Sequence, residues 1–148
     1  LRLLDKYAVA CGGGTPHRIG LRDAALYKDN HLAGLDDPRD ALRDAIKIVR
    51  QDQSLKFVEV EVDSLQQLEE VLVLDVDFVL LDNFSIEQLQ QAVEMRNNSA
   101  KQPSLEASGG ITIETVFDIA QTGVDRVAVG ALTHQAPWLD IGLDATDE

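Results

Sequence analysis

The groups with which this 148-residue chain could do chemistry are few and clustered. His17 and Arg18 stand side by side, Lys28 follows, and carboxylates recur at Glu61 and Asp82. An arginine can grip a carboxylate through two parallel hydrogen bonds, and a lysine adds a point charge. Three such cations near one strand end suit a small polyanionic ligand, although a solvated basic loop has the same composition. The GGG run at 12–14 just before them suits backbone passing close to a ligand or to a neighbouring strand, where a Cβ would intrude. Two later glycine sites differ in kind: SGGIT at 108–112 and VGALTH at 129–134 each follow an apolar, strand-like run. Paired strand-to-glycine junctions, helped by a helix N-terminus, offer backbone N–H groups to a phosphate, and tight turns are the plainer use of the same glycines. His134 stands between cup and loop, while His31 and Cys11 read as structural residues.

These groups need a scaffold, and the hydrophobic periodicity supplies one. AALYK at 24–28 is a short apolar run. Asp36, Asp37 and Pro38 offer cap and first-turn residues for a helix over 38–51, whose apolar positions Leu42, Ala45, Ile46 and Val49 share a face. KFVEVEVD at 56–63 alternates as a strand, and DFVLLDN at 77–83 reads as a buried one. Ser64 with Gln67 and Ser85 with Gln88 form capping-box patterns ahead of two further helices. PSLEASGG at 103–110 is a strand ending in glycines, Thr112 is placed to cap the next helix, and Gly123 stands at that helix's expected C-terminus. DRVAVG at 125–130 is another strand, and LDIGL at 139–143 a short last one. Alternating strands and helices with near-continuous apolar strands imply a parallel sheet covered by helices: a (β/α) barrel, part of one, or an open doubly wound sheet.

Strand parity favours a barrel. Val58, Val60 and Val62 share one face, and Glu59 and Glu61 the other; Ser104, Glu106 and Ser108 also share a face, and Asp82 closes its strand. Acids on one side of a helix-covered sheet fit a barrel axis, with a ligand at the carboxyl rim. Buried carboxylates repel unless a cation answers them, and Lys28, Arg18, a divalent metal or a cationic transition state could do so. On an exposed sheet the same alternation would only mark the solvent face, and Asp82-Asn83 alone would be ordinary turn chemistry.

Totals set the outer limits. The net charge is −13, which disfavours general nucleic-acid binding and requires any anion to be held by a local basic cluster. A single cysteine excludes an internal disulfide and a cysteine-rich metal site. No stretch reaches the roughly 18 apolar residues of a membrane helix, so no membrane partner is expected and the cytoplasm is the expected location. The first residues, LRLLDKYAV, read as the middle of a structured segment, which suggests a piece of a longer protein.

Together, GGGTPHRIGLRDAALYKDNH, VEVEVDSLQQLEE, VLLDNF, LEASGGIT and VDRVAVGALTHQAPWLDIGLD resemble quinolinate phosphoribosyltransferase over the full 148 residues, in order and at matching spacing. The resemblance implies a type II phosphoribosyltransferase. It would condense quinolinate with phosphoribosyl pyrophosphate, using Mg²⁺, and release nicotinate mononucleotide, pyrophosphate and CO₂ for NAD synthesis. It implies an incomplete α/β barrel as the C-terminal part of a chain with an N-terminal α/β domain, working as a homodimer or a multiple of dimers. By motif position, His17, Arg18 and Lys28 would bind quinolinate, with Lys28 also stabilising charge. Glu61 and Asp82 would face the ribose and its metal, directly or through the magnesium complex of phosphoribosyl pyrophosphate. Ser108, Gly109, Gly110, Gly130 and Ala131 would hold the 5′-phosphate, with His134 nearby. The family's TTRKT segment and N-terminal domain, which contribute further cations, would precede Leu1, so these residues alone are expected to catalyse weakly or not at all. A missing strand would leave an unpaired sheet edge. The alternatives are a related barrel with another acceptor, such as the molybdenum-cluster relatives, or a non-catalytic piece acting in assembly.

Overall fold

The computed structural model describes residues 1–28, 38–52, 54–137 and 139–143. Helix α1 (Arg2–Cys11) is followed by β1 (Ala25–Tyr27), α2 (Pro38–Val49), β2 (Val58–Val62), α3 (Leu65–Val71), β3 (Phe78–Asp82) and α4 (Ile86–Asn98). Then come β4 (Ser104–Ser108), α5 (Val116–Ala120), β5 (Arg126–Val127) and α6 (Ala131–His134). All strand pairs are parallel and the sheet order is β1-β2-β3-β4-β5. A doubly wound sheet reverses its strand order at a switch point. Here every strand lies beside its neighbour in sequence, so the sheet is an arc of a barrel.

The alternating strands dictate two layers. Val58, Val60, Val62, Val79, Leu81, Leu105 and Ala107 are buried in one cluster with Leu42 and Ile46 of α2, Leu68 of α3 and Leu89 and Ala92 of α4. Opposite parity puts Glu59, Glu61, Leu80, Asp82, Glu106 and Ser108 on the concave face. Both capping serines act as their spacing predicts. Ser64 accepts from the Gln67 amide, and Ser85 and Gln88 close a reciprocal capping box.

Several boundaries differ from the sequence reading. Helix α5 starts at Val116 with Thr115 as its N-cap residue, because Thr112 spends its carbonyl on a turn with Thr115 and Val116 amides. Strand β5 covers only Arg126–Val127, paired with Glu106 and Ala107 of β4, and the Ala128 amide donates to Ala107 O just beyond it. Residues 139–143 form no strand, and Leu139, Ile141 and Leu143 are exposed. His31 and the cap residues Asp36 and Asp37 lie outside the described residues. The GGG run serves α1 rather than a ligand or strand. Gly13 has φ +86, its N–H donates to Ala10 O, and that of Gly14 donates to Val9 O, which is a Schellman helix end. A Cβ on Gly14 would stand 2.8 Å from Val9 Cγ1.

Two βα units, two strands apart, carry the same polar staple. Asp77 Oδ2 accepts from the Val58 amide while the Asp77 amide donates back to Val58 O, and Arg50 at the end of α2 pairs with the carboxylate at 2.9 Å. Two strands further on, Asp125 Oδ2 accepts from the Leu105 amide, its amide donates to Leu105 O, and Arg96 of α4 pairs at 2.6 Å. Asp125→Ala would leave a buried strand amide unpaired and strip the largely buried Arg96 of its partner. We expect a loss of about 2 kcal/mol, measured by urea denaturation, with Asp125→Asn recovering part of it.

Candidate active site

Lys28 follows β1 and sits across from Glu61, which β2 aims onto the concave face. Lys28 Nζ and Glu61 Oε2 are 2.5 Å apart, with the Glu61 side chain 13% exposed. Asp82 ends β3 and pairs in register with Ser108 at the end of β4. Between them Asn83, at φ +57, donates its amide to Ser108 O at 2.9 Å and its side-chain N–H to Asp82 Oδ2 at 2.9 Å. Gly109 and Gly110 continue from Ser108 with φ +99 and +58, conformations that free the chain to fold over Asn83. Gly130 precedes the single turn Ala131–His134; its Cα is exposed, and a Cβ there would approach His134 Nε2 at 3.2 Å. The predicted acids and glycines thus gather at the carboxyl ends of β2, β3, β4 and β5. Cys11 is exposed.

His17 stands deeper than the sequence implied. Its Nε2 lies 3.0 Å from Glu59 Oε2 and 3.4 Å from Glu106 Oε1, and both carboxylates are buried, Glu59 at 0% exposure. His17 Nε2, both Glu59 oxygens and Glu106 Oε1 are buried without a hydrogen bond of good geometry. Glu106 most, then Glu59, push the imidazole pKa up to about 9 against the opposing effect of burial. Nδ1 accepts the Arg18 amide at 2.9 Å, which disfavours a second ring proton. One backbone hydrogen bond contributes about 1 kcal/mol, less than two facing carboxylates exert, so the direction is upward. Phe57 lies edge-on to the ring at 5.8 Å and Phe78 edge-on to Phe57 at 5.2 Å. Arg126 caps Phe78 at 4.1 Å and reaches Glu106 Oε2 at 3.8 Å, completing an alternating row of charges.

The structure therefore forms two groups: Lys28 with Glu61, beside Asp82 and the Ser108–Gly110 turn, and His17 with Glu59 and Glu106. Arg18 reaches back to Ala24 O at 3.5 Å. Glu59, Glu106 and Arg126 were absent from the predicted site, although parity had already put both glutamates on the concave side.

Fold and site together define the class: an arc of a parallel α/β barrel whose polar side chains line the concave face and the carboxyl ends of its strands. A family profile described as quinolinate phosphoribosyl transferase, C-terminal domain, matches residues 1–144, and the chain belongs to that family. It is 51% identical over 144 residues to nicotinate-nucleotide pyrophosphorylase [carboxylating] of Mycobacterium leprae (strain TN), covering 97% of this chain and 49% of that protein. It is 39% identical to quinolinate phosphoribosyltransferase [decarboxylating] 1b of Nicotiana tabacum, covering all of this chain and 46% of that one. The crystal structure of NadC from Streptococcus pyogenes superposes with a TM-score of 0.82 at 40% identity, covering 95% of this chain and 47% of that one. The chain thus spans about half the length of the relatives it matches. No helix among the described residues is long and apolar enough to cross a membrane.

Proposed function

We propose that this chain is the barrel portion, residues 1–148, of a carboxylating nicotinate-nucleotide pyrophosphorylase. The reaction joins quinolinate and phosphoribosyl pyrophosphate into nicotinate mononucleotide, pyrophosphate and CO₂. The ring nitrogen forms a bond to the sugar C1 as the C1–O bond to pyrophosphate breaks. The bond from ring carbon 2 to its carboxylate then breaks, its electron pair stays on that carbon, and a proton replaces CO₂. The observation that carries this reading is the convergence of the Lys28–Glu61 pair with Asp82 and the Ser108–Gly110 turn on neighbouring strand ends.

Each residue then has a task. Glu61 and Asp82 offer preorganised negative charge to the oxocarbenium-like ribose. Backbone N–H groups of Ser108, Gly109, Gly110, Gly130 and Ala131 receive the 5′-phosphate, with His134 beside them. Arg18 and Lys28 hold the dicarboxylate so that its nitrogen faces C1, an orientation effect, with His17 behind Arg18 and turned to Glu59 and Glu106. The donor set suits magnesium, because both acids offer oxygens only. Lys28 engages Oε2 of Glu61, and Asn83 engages Oδ2 of Asp82. Bound on Glu61 and Asp82, directly or through phosphoribosyl pyrophosphate, magnesium would neutralise the leaving pyrophosphate. The exposed apolar residues Leu3, Leu4 and Tyr7 of α1 suit a homodimer, and one exposed cysteine suits the cytoplasm.

Incubating the natural-length protein with quinolinate, phosphoribosyl pyrophosphate and magnesium should release CO₂ and pyrophosphate in equal amounts. Turnover of nicotinate in preference to quinolinate would remove this reading. Lys28→Met should lower kcat by roughly a hundredfold, the effect of losing one preorganised charge.

A further inference from the structure

His17 has two polar ring atoms, and the structure commits both to the protein. Nε2 is directed into a pair of carboxylates that are themselves buried, and Nδ1 accepts the amide of the next residue, Arg18. A metal ion is a poor occupant of this cluster, although His17, Glu59 and Glu106 bring their ligand atoms within 4.8 Å of one another. A metal on Nε2 needs a proton on Nδ1, donated to an acceptor. Here Nδ1 faces a donor. A substrate carboxylate is equally ill-suited to Nε2, since it would add negative charge beside Glu59 and Glu106.

We propose that Glu59 and Glu106 are positioning residues that seat His17, and that His17 in turn fixes the backbone of Arg18 at the site mouth. This rests on the proposed binding of a pyridine dicarboxylate by Arg18. The other fastenings of the loop from Gly14 to Asp23 lie outside the carboxylate cluster: Asp23 accepts the amides of Ile19 and Gly20 and, through its carbonyl, that of Lys56, Arg2 reaches Ile19 O, and Arg18 reaches Ala24 O. His17 is therefore the point where this loop is tied into the barrel interior. The groups facing the ring are Glu59 from β2, Glu106 from β4, the Phe57 edge and the Arg18 amide, with Arg126 of β5 balancing the far oxygen of Glu106.

The test compares Glu59→Gln, Glu106→Gln and Arg18→Ala in the natural-length protein. Each glutamate variant should raise KM for quinolinate about tenfold while kcat and KM for phosphoribosyl pyrophosphate stay within about twofold. Glu59→Gln combined with Arg18→Ala should be no worse than Arg18→Ala alone, because the glutamate acts through the arginine. Losses that multiply would overturn the proposal. A second arm needs no turnover: ¹⁵N NMR of labelled His17 and of the Arg18 amide in this chain. Glu59→Gln must shift both signals, and an unmoved Arg18 amide rejects the anchoring role. If wild-type protein ignores quinolinate while these signals do shift, the functional reading fails and the anchor stands. Titration with Mn²⁺ alone should leave the His17 signals sharp, and selective broadening would make the cluster a metal site instead.

Discussion

His17→Ala should destabilise the protein by about 3 kcal/mol near pH 6, because it leaves two buried carboxylates facing each other without their cation. The penalty should shrink as pH rises. In the folded protein the ring's pKa is raised from 6.5 to about 9, so its stabilising contribution is complete below about 6.5 and is lost as pH rises through 9. A shift of that size is worth about 3 kcal/mol at most. Urea denaturation of wild type and variant from pH 6 to 10 checks this. Wild-type stability should fall across the alkaline range and the two curves should converge. A constant gap would assign the loss to ring packing against Phe57 instead.

Gly109→Ala is the second large effect. A Cβ there would stand 2.2 Å from Asn83 Oδ1 and 2.9 Å from the Asn83 backbone nitrogen, and φ is +99. The side-chain amide could rotate away, but the backbone could move only by giving up the Asn83 N–H to Ser108 O bond that ties β3 to β4. Backbone strain, clash and lost bond together suggest about 3 kcal/mol, or roughly 10 °C in Tm for a domain of this size. Affinity for phosphoribosyl pyrophosphate should fall as well, since Asp82 and the turn would separate. Gly110→Ala is the control: φ is +58 and nothing lies within 4 Å of its Cβ. It should cost only about 1 kcal/mol. Equal losses at the two positions would contradict this account.

Much of this was readable from residue order. Alternation in VEVEV fixed which side chains meet the helices, and Ser85 with Gln88 marked a helix start to the residue. Local patterns of this kind carry their own geometry. The role of Glu59 was not readable, because its partner His17 lies far away in sequence and only tertiary folding joins them. The GGG run misled for the opposite reason: glycine signals a demand on the backbone, and a helix end makes the same demand as a ligand cradle.

The twin aspartate staples at Asp77 and Asp125 have a bearing on fidelity of assembly. Side chains alternate along a strand, so a slip by a single position would turn valines toward the axis and drive glutamates among the helices. Each staple clasps its predecessor strand by both backbone groups of a single residue, Val58 or Leu105, and so admits only one alignment. Mischoosing that alignment would erase the ligand chamber while leaving the secondary structure intact, which makes these clasps, remote from any substrate, the guardians of where the chemistry can occur.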